Sequence, residues 1–270
     1  MSAGADPRAK PQFGSRADPR ASTRQPRRGV PRASPLARAE EAIAREGALL
    51  VYPIANRREP RSLWHVLYPR SEMRWAWDEG ADMRVVKLWQ LREQLASRRE
   101  VVYSKWFKGR AVFFSQPVFG AMLAVSRSLP CALSPDARDL LALLEEDSPQ
   151  STKQLRRAAG LTGRQSERTW TNALRELWER LLIVGTGEVD DGAFPSLAIG
   201  ATRWIFEGLW EQAGAGPSPQ QARLIARVLS PATSFGRHWQ RVLAASERGV
   251  SATAERDAEP PDQSLLRGAS

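Results

Sequence analysis

The segment from residue 134 to residue 200 constrains the fold most strongly, because helix and strand signals follow one another along it with few gaps. Ser134 and Pro135 supply an N-cap and a first-turn proline, and they predict the start of an amphipathic helix. Ser151 and Gln154 have the spacing of a capping box, in which the side chain of each residue accepts a hydrogen bond from the backbone N–H of the other. They predict the start of a second helix.

A third and longer helix is predicted from about residue 165 to residue 182, after a turn that contains glycine at residues 160 and 163. Its apolar residues recur every three or four positions, which is the spacing of one buried helix face. These residues are Trp170, Ala173, Leu174, Leu177, Trp178 and Leu181. Two short strands then flank a loop over residues 187–195. This order of elements predicts a winged helix-turn-helix domain over residues 131–211.

The opposite flank of the third helix carries residue types that recognise DNA. Arginine donates to guanine O6 and N7, asparagine and glutamine pair with adenine, and serine or threonine reach phosphates. We therefore predict that this flank binds double-stranded DNA, with nearby arginines as added backbone contacts. The predicted residues are Gln165, Ser166, Arg168, Thr169, Asn172 and Arg175, with Arg156, Arg157 and Arg164 nearby. The alternative interpretation is an ordinary solvent-facing surface in a structural or protein-binding winged helix.

Acidic residues limit the predicted DNA footprint. Glu176 and Glu179 lie further along the same helix and would repel phosphates, so contact is expected only in its N-terminal half. Glu188, Asp190 and Asp191 make the loop between the two strands acidic, which argues against DNA contact by the wing. The contacts expected from this helix are therefore confined to its first two turns.

The chain on either side of this domain divides into an α+β module and simpler end segments. Residues 36–130 combine helical apolar spacing with two strands around Lys108-Gly109-Arg110, a hairpin signal, so the whole chain is expected to be α+β. Residues 212–245 are predicted to form short C-terminal helices. Residues 1–35 and 246–270 lack the apolar content to offset their ordering entropy, and they are predicted to be disordered tails.

Charge and composition restrict the classes of partner. Forty Lys and Arg against thirty Asp and Glu give a net charge of +10, and residues 1–35 hold eight basic and two acidic residues. That basic tail is either an arm that binds a polyanion or a solvated leader. One cysteine and two histidines exclude a disulfide framework and a Cys/His metal cluster. Without an apolar run of membrane-spanning length, we expect a soluble cytoplasmic, nucleoid-associated protein with no membrane contact.

Five short segments carry a resemblance to a known family. The segments are Leu49 to Pro53, Ser62 to Trp64, Trp77-Asp78, Tyr103 to Lys105 and Ser134 to Leu161. Over residues 38–211 the chain resembles the bacterial AlkZ-related winged-helix proteins, which are named for their similarity to the AlkZ DNA glycosylases. Those glycosylases are tandem winged-helix enzymes that excise alkylated or crosslinked bases. The resemblance therefore implies a role connected with DNA and DNA repair.

The chain departs from those enzymes at their catalytic motif. The resemblance implies a Gln-x-Gln or Gln-x-Asp motif that positions the attacking water, and neither motif occurs in this sequence. The cluster at residues 75–79 pairs aromatic rings with carboxylates, so Asp78 and Glu79 are the candidate catalytic residues. The alternative interpretation is a turn before a helix that starts near Asp82. Tyr103 and Lys105 on the hairpin are further candidates for substrate contact, and Lys105 as a nucleophile would need a lowered pKa.

Three functions follow from the sequence. The first is a winged-helix protein that binds duplex DNA through residues 165–182. The second is a DNA glycosylase that lacks the usual motif, and the third is a structural winged helix with a protein partner. None of the three implies a cofactor or a metal ion.

Overall fold

The computed structural model describes residues 33–75, 82–130, 132–192 and 195–258, with side chains as far as residue 247. The predicted N-terminal tail up to residue 32 and the candidates Asp78 and Glu79 lie outside these described residues. Within them, eleven α-helices and six strands form a mixed α/β fold, which confirms the predicted fold class. In the same part of the chain, no helix has both the length and the apolar character to cross a membrane.

The N-terminal half alternates short helices and strands that local signals predict well. Asp82 caps a helix by accepting from the backbone N–H of Arg84 at 3.0 Å. Lys108 and Gly109 have φ values of 53° and 71°, the left-handed conformation that a two-residue hairpin turn requires, so the predicted hairpin is confirmed. The elements are α1 (Pro35–Glu46), β1 (Ala48–Leu50), α2 (Leu63–Leu67), α3 (Met83–Arg98), β2 (Val101–Phe107), β3 (Arg110–Ser115) and α4 (Gln116–Ser128).

The middle of the chain forms helices and strands in an order compatible with the predicted winged helix-turn-helix. Ser151 and Gln154 make both hydrogen bonds of the predicted capping box. A 3-10 turn at Arg164–Ser166 precedes the third helix, so that helix starts two residues later than predicted. The elements are α5 (Pro135–Glu146), β4 (Gln150–Ser151), α6 (Thr152–Ala158), α7 (Glu167–Glu179), β5 (Ile183–Val189) and β6 (Ser196–Ala201).

Four helices complete the described chain. They are α8 (Thr202–Ile205), α9 (Glu207–Ala213), α10 (Pro219–Val228) and α11 (Ser234–Ala258). The last helix continues past Ser246, where the sequence analysis places the start of a tail. Ser246 is buried, and its hydroxyl donates to the carbonyl of Val242 at 3.0 Å. The backbone of α11 therefore extends well beyond the predicted C-terminal helices.

One six-stranded sheet runs through both halves of the chain, in the order β1-β3-β2-β5-β6-β4. The two halves meet where β2 pairs with β5, at Tyr103 opposite Gly185. A Cβ atom on Gly185 would lie 2.0 Å from Cδ1 of Tyr103, so only glycine lets this ring lie across β5. The sheet thus joins the segments 36–130 and 131–211 through backbone hydrogen bonds.

Apolar clusters on the sheet and between the helices hold these elements in place. One cluster packs α1, α2 and α3 onto one face of the sheet and includes Trp64 and Leu88. A second packs α4 and the C-terminal helices around Trp106 and Trp239. A third lies between α5, α6 and α7 and includes Leu177. The position of α7 is therefore fixed by a core of its own.

Candidate nucleic-acid interface

The flank of α7 that the sequence analysis assigns to DNA faces away from the core. Trp170 and Leu177 on the apolar face are buried, whereas Arg168, Asn172 and Arg175 are exposed. In the same region, Arg164 and Gln165 are exposed, and Ser166 and Thr169 are half-buried. The helix is therefore oriented as its apolar spacing predicts.

The three arginines placed beside this flank differ in their contacts. The guanidinium of Arg156 donates to the carbonyl of Leu161 at 2.6 Å and pairs with Glu167 at 2.7 Å. Arg156 therefore stabilises the turn between α6 and α7. Arg157 and Arg164 are exposed and form no ion pair within the described residues, so their charges are available to a ligand.

The polar flank of α7 forms one side of an open cleft of about 680 Å³. The cleft is also lined by Val242, Ala245 and Ser246 on α11, by Ala132, Ser134 and Asp136, and by Gln165 and Arg180 on either side of α7. The cleft is not predictable from the sequence, because apolar spacing identifies α11 as a helix without showing which helix it faces. The residues that α7 contributes are Arg168, Thr169, Asn172, Ala173, Arg175, Glu176 and Glu179.

The two glutamates of the cleft have different surroundings. Glu176 accepts hydrogen bonds from the backbone N–H of Ser134 at 3.1 Å and from its hydroxyl at 2.7 Å, which ties α7 to the start of α5. Glu179 is half-buried and makes no hydrogen bond or ion pair with the described residues. Burial raises the pKa of Glu179, and the nearby positive charges of Arg175 and Arg241 oppose that shift.

The acidic residues of the wing are largely engaged within the protein. Glu188 forms an ion pair with Arg92 on α3, and it accepts a hydrogen bond from the indole N–H of Trp89 at 3.0 Å. Asp191 accepts from the hydroxyl of Ser151, and it pairs with Lys153 at 3.1 Å. Of the three acidic residues of the wing, only Asp190 is exposed and lacks a partner among the described residues.

Stability in acid is expected to depend on Asp191. The Ser151 hydroxyl, with smaller contributions from Ser196 and Lys153, lowers the pKa of Asp191 from 3.8 to about 2. Ionised Asp191 therefore makes its full contribution to the free energy of unfolding above about pH 4, and this contribution is lost as the pH falls toward about 2. Urea unfolding measured between pH 7 and pH 2 should show that the free energy of unfolding falls more steeply with acid in the wild type than in Asp191→Asn. An equal dependence of unfolding free energy on pH in the wild type and Asp191→Asn would contradict this prediction. Asp190→Asn is the control, and it is expected to behave like the wild type.

The remaining candidates from the sequence lie away from the cleft. Tyr103 is fully buried in β2, and burial raises the pKa of its hydroxyl. Lys105 is half-buried on the same strand, and burial, helped by the charge of Arg92, lowers its pKa. Lys105 thus meets one condition for a nucleophile, but it does not line the cleft on α7.

Comparison with known families identifies the family to which this chain belongs. The family model described as AlkZ related matches residues 36–193. The chain belongs to the AlkZ-related family. The match includes the whole polar flank of α7, whereas α11 lies beyond it. No curated protein and no solved structure matches this AlkZ-related chain. Membership confirms the resemblance found in the sequence, and it indicates a DNA-related role.

Proposed function

We propose that this AlkZ-related protein binds double-stranded DNA through the N-terminal half of α7. The observation that carries the proposal is the exposure of Arg168 and Asn172 on α7, and of Gln165 in the turn before it, while the opposite face of α7 packs into a core. A recognition helix needs side chains that reach base edges and a scaffold that holds them in register. Both requirements are met here.

Charge supports the same surface. Arg157, Arg164, Arg168 and Arg175 form no ion pairs with the described residues. Free guanidinium groups neutralise phosphates and release counterions, so affinity for DNA should fall with rising salt. The engagement of Glu188 and Asp191 inside the protein removes much of the repulsion expected from the wing.

The double variant Arg168→Ala, Asn172→Ala tests this proposal. Fluorescence anisotropy with a labelled duplex at several salt concentrations should show affinity reduced by about 10-fold to 100-fold, because two base or phosphate contacts are lost. The slope of log affinity against log salt concentration should become about 1 smaller in magnitude, because one phosphate contact contributes about that much. Arg223→Ala on α10 removes an equally exposed arginine outside the cleft and is the matched control.

The outcomes separate the proposed function from its alternatives. Unchanged duplex affinity in the double variant would show that α7 is not the binding element. Absence of any salt-dependent DNA binding by the wild type would favour the structural or protein-binding interpretation. Release of an alkylated base from a modified duplex would favour the glycosylase interpretation.

A further inference from the structure

The polar flank of α7 lines the cleft along its whole length, from Gln165 in the preceding turn to Glu179, and α11 forms the opposite wall. Arg175 and Glu179 line the cleft from α7, and Val242 and Ala245 line it from α11. The cleft volume of about 680 Å³ lies within the range of small-ligand sites, which is roughly 300–1,000 Å³. The cleft therefore has room for a ligand of nucleotide size beside Arg175 and Glu179.

The lining groups match the parts of a nucleotide. Arg175 is exposed and forms no ion pair with the described residues, so its guanidinium can hold a phosphate. Glu179 lies one turn further, about 6 Å along the helix axis. Its half-buried carboxylate makes no hydrogen bond within the described chain, and a carboxylate can only accept. The site thus contains a cation that can bind a phosphate, Arg175, and one helical turn further an acceptor for N–H donors, Glu179.

The wall on α11 supplies the surface for the flat face of a base. Of the three α11 residues that line the cleft, Val242 and Ala245 have apolar side chains, and the hydroxyl of Ser246 donates to the carbonyl of Val242. Bases pack on apolar side chains when they leave the stack. This wall lies beyond residues 36–193, the range that the family model matches. The cleft is therefore built partly from residues that the family model does not include.

We propose that this cleft binds one unpaired nucleotide of a bound DNA, with its phosphate on Arg175 and its base edge on Glu179. Guanine is the preferred base, because two adjacent N–H groups on its Watson–Crick edge can donate to one carboxylate. That edge is free only when the base is unpaired. The inference rests on the proposed function, since the N-terminal half of α7 holds the flanking duplex.

The experiment compares three labelled duplexes that differ at one position. One carries a single bulged guanine, one carries a bulged thymine, and one is fully paired. By fluorescence anisotropy, the full-length protein should bind the guanine bulge about tenfold more tightly than the other two. Glu179→Gln should lose the preference for guanine over thymine. Glu207→Gln removes an exposed glutamate outside the cleft and should keep the preference.

A second variant tests the opposite wall of the cleft. Ala245 is exposed toward the cleft, so Ala245→Leu should fill the site and reduce the affinity for the guanine bulge to that for the paired duplex. Circular dichroism melting curves show whether each variant is folded.

Equal binding of all three DNAs by the wild type would overturn the inference while the proposed duplex binding stands. A guanine preference that survives in both Glu179→Gln and Ala245→Leu would also overturn it. Failure to bind any of the three DNAs would reject the proposed function together with the inference.

Discussion

Replacing Glu188 with alanine is expected to lower the free energy of unfolding by about 3–5 kcal/mol. The side chains of Glu188 and Arg92 are only 9% and 14% exposed, so the substitution leaves a guanidinium charge largely buried and without its partner. The indole N–H of Trp89 loses its acceptor as well. Urea unfolding at neutral pH, followed by circular dichroism, measures the difference.

A paired substitution shows whether the loss comes from the unpaired charge. Glu188→Leu with Arg92→Met removes both charges and keeps side-chain volume, so we expect this double variant to be clearly more stable than Glu188→Ala. A loss below about 1 kcal/mol for Glu188→Ala would place the pair among weak surface ion pairs and contradict the prediction. Glu207→Ala on the surface is the control, and little change is expected there.

Truncation of Trp239 to alanine is expected to cost about 3–5 kcal/mol, through loss of buried apolar contact and the cavity that remains. Trp239 is 2% exposed, and its ring centroid lies 6.2 Å from that of Trp106 on β2. His238 contacts the Trp106 carbonyl at 2.9 Å, so the same turn of α11 is joined to β2 twice. The substitution should therefore loosen α11 as well as lower stability.

A second tryptophan provides the comparison for Trp239. Trp204 is 47% exposed, with one hydrogen bond of 2.9 Å from its indole N–H to the carbonyl of Glu145. Trp204→Ala should cost only about 1 kcal/mol in the same urea unfolding experiment. Similar losses for the two variants would show that α11 is not held by this aromatic core. Loss of guanine-bulge binding is also expected in Trp239→Ala, because α11 forms one wall of the cleft.

Local signals made much of the fold predictable. Ser151 with Gln154 marks the start of a helix through groups only three residues apart, and the structure contains both hydrogen bonds. The hairpin turn at Lys108-Gly109 is equally local. The orientation of α7 was predictable because Trp170 and Leu177 repeat with the helical period, and burial of that stripe fixes which side faces outward.

Contacts between distant parts of the chain were not predictable from one sequence. Glu188 meets Arg92 across 96 residues, so its acidic character alone suggested repulsion of DNA where the structure shows a buried ion pair. Glu179 was identified only as a limit on the footprint, because nothing in the sequence shows that α11 lies opposite it. The preference of α11 to form a helix is local, whereas its docking depends on Trp239 meeting Trp106.

The pairing of β2 with β5 also determines how this protein can be divided in practice. A fragment that ends after α4 would carry β2 with an exposed edge, and a fragment that starts at α5 would carry β5 in the same condition. Unpaired strand edges bind one another, so each piece expressed alone would tend to self-associate or aggregate. Recombinant truncations should therefore remove only the ends of the chain and leave both partners of this strand pair together.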